Sequence, residues 1–116
     1  VENRGICERT GFISKNGLFP RGTFSLGLLQ MAFFFRPNEW YAGQFVKIIH
    51  CIDDVDDDAK IYLEAILNGL SNKLLSVLVR DVERTFYESE ILLPVKRDGK
   101  IDYEWMSNYT KTTKKI

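Results

Sequence analysis

The chain carries one histidine, His50, and two cysteines, Cys7 and Cys51, and these are its only soft metal ligands and strong nucleophiles. His50 and Cys51 are neighbours within a β-branched run. In a strand, consecutive side chains project to opposite faces, so the two do not readily form a thiol–imidazole pair. Cys7 is free to meet His50 only through the tertiary fold. One imidazole and two scattered thiols do not make four zinc ligands at metal spacing. The carboxylates Asp53, Asp54, Asp56, Asp57 and Asp58 are the densest charge cluster. A calcium loop needs alternating oxygens, a glycine at its sharp turn and a distal bidentate Glu, whereas here the acids are nearly contiguous and no glycine lies among them. Such a cluster reads as the solvated start of a helix. Asp58-Ala59-Lys60 and Asp98-Gly99-Lys100 match the short acid-x-Lys pattern of metal-dependent nucleases. The first opens a helix and the second falls in a turn, so both read as chance matches. No glycine-rich phosphate loop of the P-loop or dinucleotide-binding kind occurs. No cofactor is implied.

The elements that would position these residues follow from pattern. The chain has 116 residues, room for one hydrophobic core, and 45% of them are hydrophobic. Asn16-Gly17 marks a turn, since both residues tolerate positive φ. Phe24 to Phe35 predicts a buried strand, or two strands around a kink at Gly27. Pro37-Asn38 predicts a turn, and Phe45 to Ile52 a second strand.

Next comes an amphipathic helix at about 56–72. Ala59, Tyr62, Leu63, Ile66, Leu67, Leu70 and Leu74 fall on one face, and Lys60, Glu64, Asn68 and Ser71 on the opposite one. Asp56 can cap its first turn, and Gly69 near its end suggests close packing. Leu75 to Phe86 fits helix or strand, with helix preferred. Ile91 to Val95 predicts a short strand stopped by Pro94, followed by a turn at Asp98-Gly99. Asp102 can cap a last helix near 102–113, with Ile101 and Met106 placed as a hydrophobic staple. Trp105, Met106 and Tyr109 share a stripe expected to seat that helix against the sheet. The fold class expected is α+β: a twisted mixed sheet, one main helix and a C-terminal docking helix.

Sixteen basic residues balance sixteen acidic ones, which excludes only a histone-like polycation. Any polyanionic partner must therefore meet a local patch. The longest uncharged run, residues 22–35, is short of the ~20 residues that span a bilayer. Two cysteines are too few for a disulfide-stapled secreted domain, and the first 15 residues contain no apolar signal segment. The expectation is a cytoplasmic protein with free thiols and no membrane partner.

The stretch Ile91-Leu92-Leu93-Pro94-Val95, Asp98-Gly99-Lys100, Asp102-Tyr103-Glu104-Trp105-Met106 and Tyr109 resembles the end of a target-recognition domain. The family is the DNA-specificity domain of bacterial type I restriction–modification S subunits and of related type IIB and IIG enzymes. Those domains close on a similar strand, turn and helix. Ile101 stands where the family usually has proline, and Tyr103 where it favours tryptophan. Upstream, the glycines, the run Phe33–Phe35, the strand from Trp40 to Ile49 and the helix from Asp57 to Leu70 follow the family's order, so the likeness spans about residues 16–110. The chain reads as a single, partial domain of this type, without the opening helix and strand.

The resemblance implies sequence-specific recognition of double-stranded DNA without chemistry, with methyltransferase and restriction subunits or fused domains as partners. Recognition needs cations for phosphates and amide, hydroxyl or guanidinium groups for base edges. The candidates are Lys15, Asn16, Arg21, Thr23, Arg36, Asn38 and Gln44, with Lys73, Arg80 and Arg84 beyond the helix. Arg21 leads them because it projects between Pro20 and Gly22; a solvated surface arginine is its plain alternative. Phe33, Phe34, Phe35, Trp40 and Tyr41 are available to stack on a base or to pack the core. Two rival readings are a protein-interaction or assembly module, including a truncated specificity domain, and a small metal-dependent nuclease built around Asp58 or Asp98.

Overall fold

The computed structural model describes residues 7–9, by backbone alone, together with 18–43 and 45–114. Its elements are strands β1 (Cys7–Arg9), β2 (Leu18–Phe19), β3 (Thr23–Gly27), β4 (Ala32–Arg36), β5 (Trp40–Tyr41) and β6 (Val46–Cys51), then helices α1 (Asp57–Asn68), α2 (Ser71–Leu75), α3 (Val82–Glu88) and α4 (Tyr103–Lys114). A 3-10 turn, Val79–Asp81, precedes α3. The class is α+β, as the sequence predicts. The main sheet runs β1-β6-β3-β4, and β2 and β5 form a separate ribbon. Every pairing between these strands is antiparallel, so the sheet is not mixed.

The Phe24–Phe35 segment resolves into the hairpin β3–β4. Phe24 lies opposite Phe35 and Leu26 opposite Phe33, and all four are buried. Alternation sends Ser25, Phe34 and Arg36 to the other face. In β6, Ile49 pairs with Phe24, and its neighbours His50 and Cys51 alternate as the strand demands. The β1–β6 register sets Cys7 opposite Cys51, and Glu8 rather than Cys7 opposite His50.

The core fills one side of the sheet. Helix α1 contributes Ala59, Leu63 and Leu67, and Val82, Phe86 and Met106 join from α3 and α4, all nearly inaccessible. The Phe86 ring meets that of Phe33 at 5.8 Å. Asp56 caps α1 as expected, accepting from the Ala59 N–H at 2.8 Å, and Asp102 caps α4 through the Trp105 N–H at 2.9 Å.

Five expectations need correction. The polar stripe of α1 is not a solvated face. Lys60 Nζ donates to Gly22 O (2.9 Å), Glu64 Oε2 accepts from Phe35 N–H (2.6 Å), and Ser71 Oγ donates to Met31 O (2.6 Å). Asn68 takes both backbone groups of one residue, accepting from Phe33 N–H (2.7 Å) and donating to Phe33 O (2.9 Å). At 3.6 residues per turn these side chains lie only roughly 90° around the helix from the apolar stripe, so the helix fills the core with one face and zips the free edge of β4 with the next.

Second, the last helix docks on α1 and not on the sheet. Of its aromatic stripe only Met106 is fully buried, while Trp105 and Tyr109 stay about half exposed (47% and 50%). These two rings stack at 5.4 Å and meet the edge of Tyr62 from α1. Third, Ile91–Val95 is extended and holds an isolated bridge, Val95 to Ile101, rather than a strand. Pro94 cannot donate to a ladder, and its carbonyl accepts instead from Asp102 N–H. Fourth, the stretch after Leu75 is not one helix: Leu78 is extended, and the helix restarts only at Val82. Gly69 has no neighbouring element against it; a Cβ there would meet the carbonyl of Ile66 in its own helix.

Candidate nucleic-acid interface

At the open end of the β3–β4 hairpin the chain turns twice, at Pro20–Gly22 and at Pro37–Glu39, and the two turns are tied by Gly22 N–H to Arg36 O (2.8 Å). Gly22 takes φ +83°, which an L side chain rarely adopts. That bend throws Arg21 outward. Its Nη2 pairs with Asp57 at 2.8 Å, its Nε donates to Pro37 O at 3.1 Å, and 61% of the side chain stays exposed. An exposed pair of this kind is worth little, so a phosphate can compete for the guanidinium.

Arg36 ends β4 on the face turned away from the helices. Its Nε donates to Ser25 Oγ at 2.9 Å, and its Cζ lies 5.5 Å from the ring centres of both Phe34 and Trp40. Trp40 is held in turn: its Nε1 donates to Thr23 Oγ1 (2.9 Å), Thr23 donates to Pro20 O (2.9 Å), and Phe19 packs at 4.8 Å. Beside this group Phe34 and Tyr41 are 52% and 70% exposed, and Asn38 and Glu39 stand exposed in the turn. Lys60 reaches the same corner through Gly22 O. Three cations therefore share it with two carboxylates, Asp57 and Glu39, and the excess charge is small.

The remaining candidates lie elsewhere. Arg80 and Arg84 belong to the 3-10 turn and α3, whose Val82 and Phe86 pack on the core face of the sheet, so these arginines are on the opposite side from Arg36. Arg84 also pairs with Asp81 at 3.4 Å. Lys73 sits on α2, away from the hairpin corner. Lys15, Asn16, with the Asn16-Gly17 turn, and Gln44 lie outside the described residues. Arg21, Thr23, Arg36 and Asn38 are thus brought together, while Arg80 and Arg84 are separated from them. Sequence reasoning missed Ser25 and Lys60 at this corner. The alternation of Thr23, Ser25, Phe34 and Arg36 against buried Phe24, Leu26, Phe33 and Phe35 was the available signal for Ser25.

The acidic run is absorbed by structure. Asp56 caps α1, Asp57 pairs with Arg21, Asp58 with Lys114 at 2.8 Å, and Asp53 accepts from the Tyr103 hydroxyl at 2.7 Å. Asp98 accepts from Lys100 N–H in a turn whose Gly99 takes φ +84°. Among the described residues no three His, Cys, Asp or Glu side chains gather as a metal site, and no helix is long and apolar enough to cross a membrane. Comparison of the chain with protein families, curated proteins and solved structures finds no match.

Proposed function

We propose that the chain recognises double-stranded DNA as the non-catalytic specificity module of a restriction–modification assembly, with methyltransferase and restriction subunits or fused domains as its partners. The reading rests on the resemblance of the 91–109 segment to target-recognition domains. The observation that carries it is the hairpin corner, where the turn bearing Arg21 is tied to Arg36 through Gly22 N–H and where Phe34 and Tyr41 are exposed. A major groove about 12 Å wide admits a two-stranded ribbon and the turns at its end, and this corner joins the β3–β4 hairpin to the β2–β5 ribbon. Exposed Arg21 suits a phosphate contact, and the hydroxyl and amide groups nearby suit base edges.

The test is a salt titration of the protein against a pool of random duplexes, with sequencing of the bound fraction. Enrichment of a short motif, with affinity falling as salt rises, supports a sequence reader. No binding at low salt refutes it. The half-exposed cluster of Tyr62, Trp105 and Tyr109 favours a second reading, a module that docks protein partners through α1 and α4.

A further inference from the structure

We infer that Arg36 is the residue that fixes one base of the target, reading a guanine through O6 and N7; this rests on the DNA-recognition reading above. Three features separate Arg36 from Arg21 and Arg84. Its Nε is engaged by Ser25 Oγ, which leaves the four Nη protons of the guanidinium, and among the described residues these meet no acceptor. Its cationic plane is held against the faces of Phe34 and Trp40, and Trp40 is itself pinned through Thr23 to Pro20. And no carboxylate of the described residues pairs with it, whereas Arg21 is tied to Asp57 and Arg84 to Asp81.

A fork-shaped cation whose orientation is set by three neighbours, and whose outer edge has no acceptor among the described residues, is complementary to two acceptors side by side in one plane. Guanine presents such a pair in the major groove, and a phosphate presents a similar one on the backbone. The two sources differ in what they require. A phosphate contact tolerates a mobile side chain at the rim, as Arg21 supplies. Reading a base edge requires a fixed angle of approach, and the lock on Arg36 supplies that with little ordering left to occur on binding. Ser25 and Trp40 are then positioning residues, acting through the guanidinium without touching the base.

The experiment compares wild type with Arg36→Met, which keeps an unbranched stem but has no donor, and with Ser25→Ala in the random-duplex selection, each variant first shown to melt cooperatively. The wild type is expected to enrich a motif containing a guanine whose preference falls about 5- to 150-fold in Arg36→Met, the span of one bidentate contact. Preferences elsewhere in the motif and the salt slope should stay as they are. Ser25→Ala should weaken the same preference by a smaller factor. As a second readout, 7-deazaguanine at that position removes the N7 acceptor. It should weaken binding by wild type and make no further difference to Arg36→Met.

An unchanged guanine preference in Arg36→Met overturns the inference. So does a uniform loss across all sequences with the salt slope shallower by about 1, the mark of a phosphate contact. Equal sensitivity of both proteins to 7-deazaguanine also overturns it. If the wild type binds no duplex, the DNA-recognition reading itself falls, which is a different result from binding without the guanine effect.

Discussion

Asn68 is the residue on which the placement of β4 depends most directly. β4 is the edge of the main sheet, and the outward N–H and C=O of Phe33 have no strand beyond them. Asn68 satisfies both, at 2.7 and 2.9 Å, in a layer where Phe33 is fully buried. Asn68→Ala removes the amide and leaves both backbone groups of Phe33 without that partner. Each buried group so stranded costs about 1–3 kcal/mol, and partial entry of water reduces the sum, so the expected loss is about 2–4 kcal/mol. For a chain of this size that lowers Tm by on the order of 10 °C. In urea the midpoint should fall by about 1–2 M with the slope unchanged.

Amide exchange gives a local check: the Phe33 N–H should lose protection in Asn68→Ala before the rest of β3 and β4 does. Glu64→Gln is the control one turn earlier. Its amide oxygen can still accept from Phe35 N–H, so only the charge-assisted part of that bond goes, and the loss should stay below about 1 kcal/mol. If Asn68→Ala unfolds within about 0.5 kcal/mol of wild type, water serves the strand edge as well as the amide does, and the reasoning fails.

Asp56→Ala and Asp102→Ala each remove an N-cap and should cost about 1 kcal/mol in urea unfolding. Gly22 and Gly99 share a left-handed φ (+83° and +84°), but a Cβ on Gly22 would stand 3.1 Å from Lys60 Nζ while one on Gly99 meets open space. Both Gly→Ala changes should destabilise by about 1 kcal/mol through the backbone, and any excess at Gly22 measures the cost of moving Lys60. Because Arg21, Arg36 and Lys60 are the cations of the described residues at the hairpin corner, the slope of log K against log salt should be no steeper than about −3; a slope near −6 would mean a phosphate-contact surface elsewhere on the chain.

Features set by near neighbours were legible in the sequence. The caps Asp56 and Asp102 are each recognised by an acid three residues before the N–H that it accepts, and Asp98-Gly99 is a turn in any context. The β3–β4 hairpin and the apolar face of α1 follow from periods of 2 and 3.6. What was not legible depends on partners far along the chain. Lys60, Glu64, Asn68 and Ser71 share a stripe that periodicity assigns to water, because a helical period locates a face but not what lies against it; the edge of β4, about 30 to 40 residues earlier, takes it up. Arg21 looked like a free cation for the same reason, since Asp57 is 36 positions away. Arg36 gained its distinction only when Ser25, Phe34 and Trp40 came together around it.

These long-range contacts place stability and the proposed recognition surface in one helix. An exposed sheet edge invites pairing with another chain, and here α1 closes it with side chains along the strand. By holding Phe33 and Phe35 through their peptides, the helix also fixes which β4 side chains face away from the core, namely Phe34 and Arg36. The first turn of α1 reaches the Pro20–Gly22 turn as well, through Asp57 to Arg21 and Lys60 to Gly22. A change on the polar stripe of α1 therefore acts on the corner without touching any partner. Loss at Asn68 should loosen the orientation of Arg36 and so erode base preference, whereas loss of the Asp57–Arg21 pair frees a cation and should strengthen binding to duplexes of every sequence alike. The two perturbations lie on one helix and push in opposite directions. That contrast follows from the geometry of the zipper and does not follow from charge counting, which would assign a small effect to Asn68.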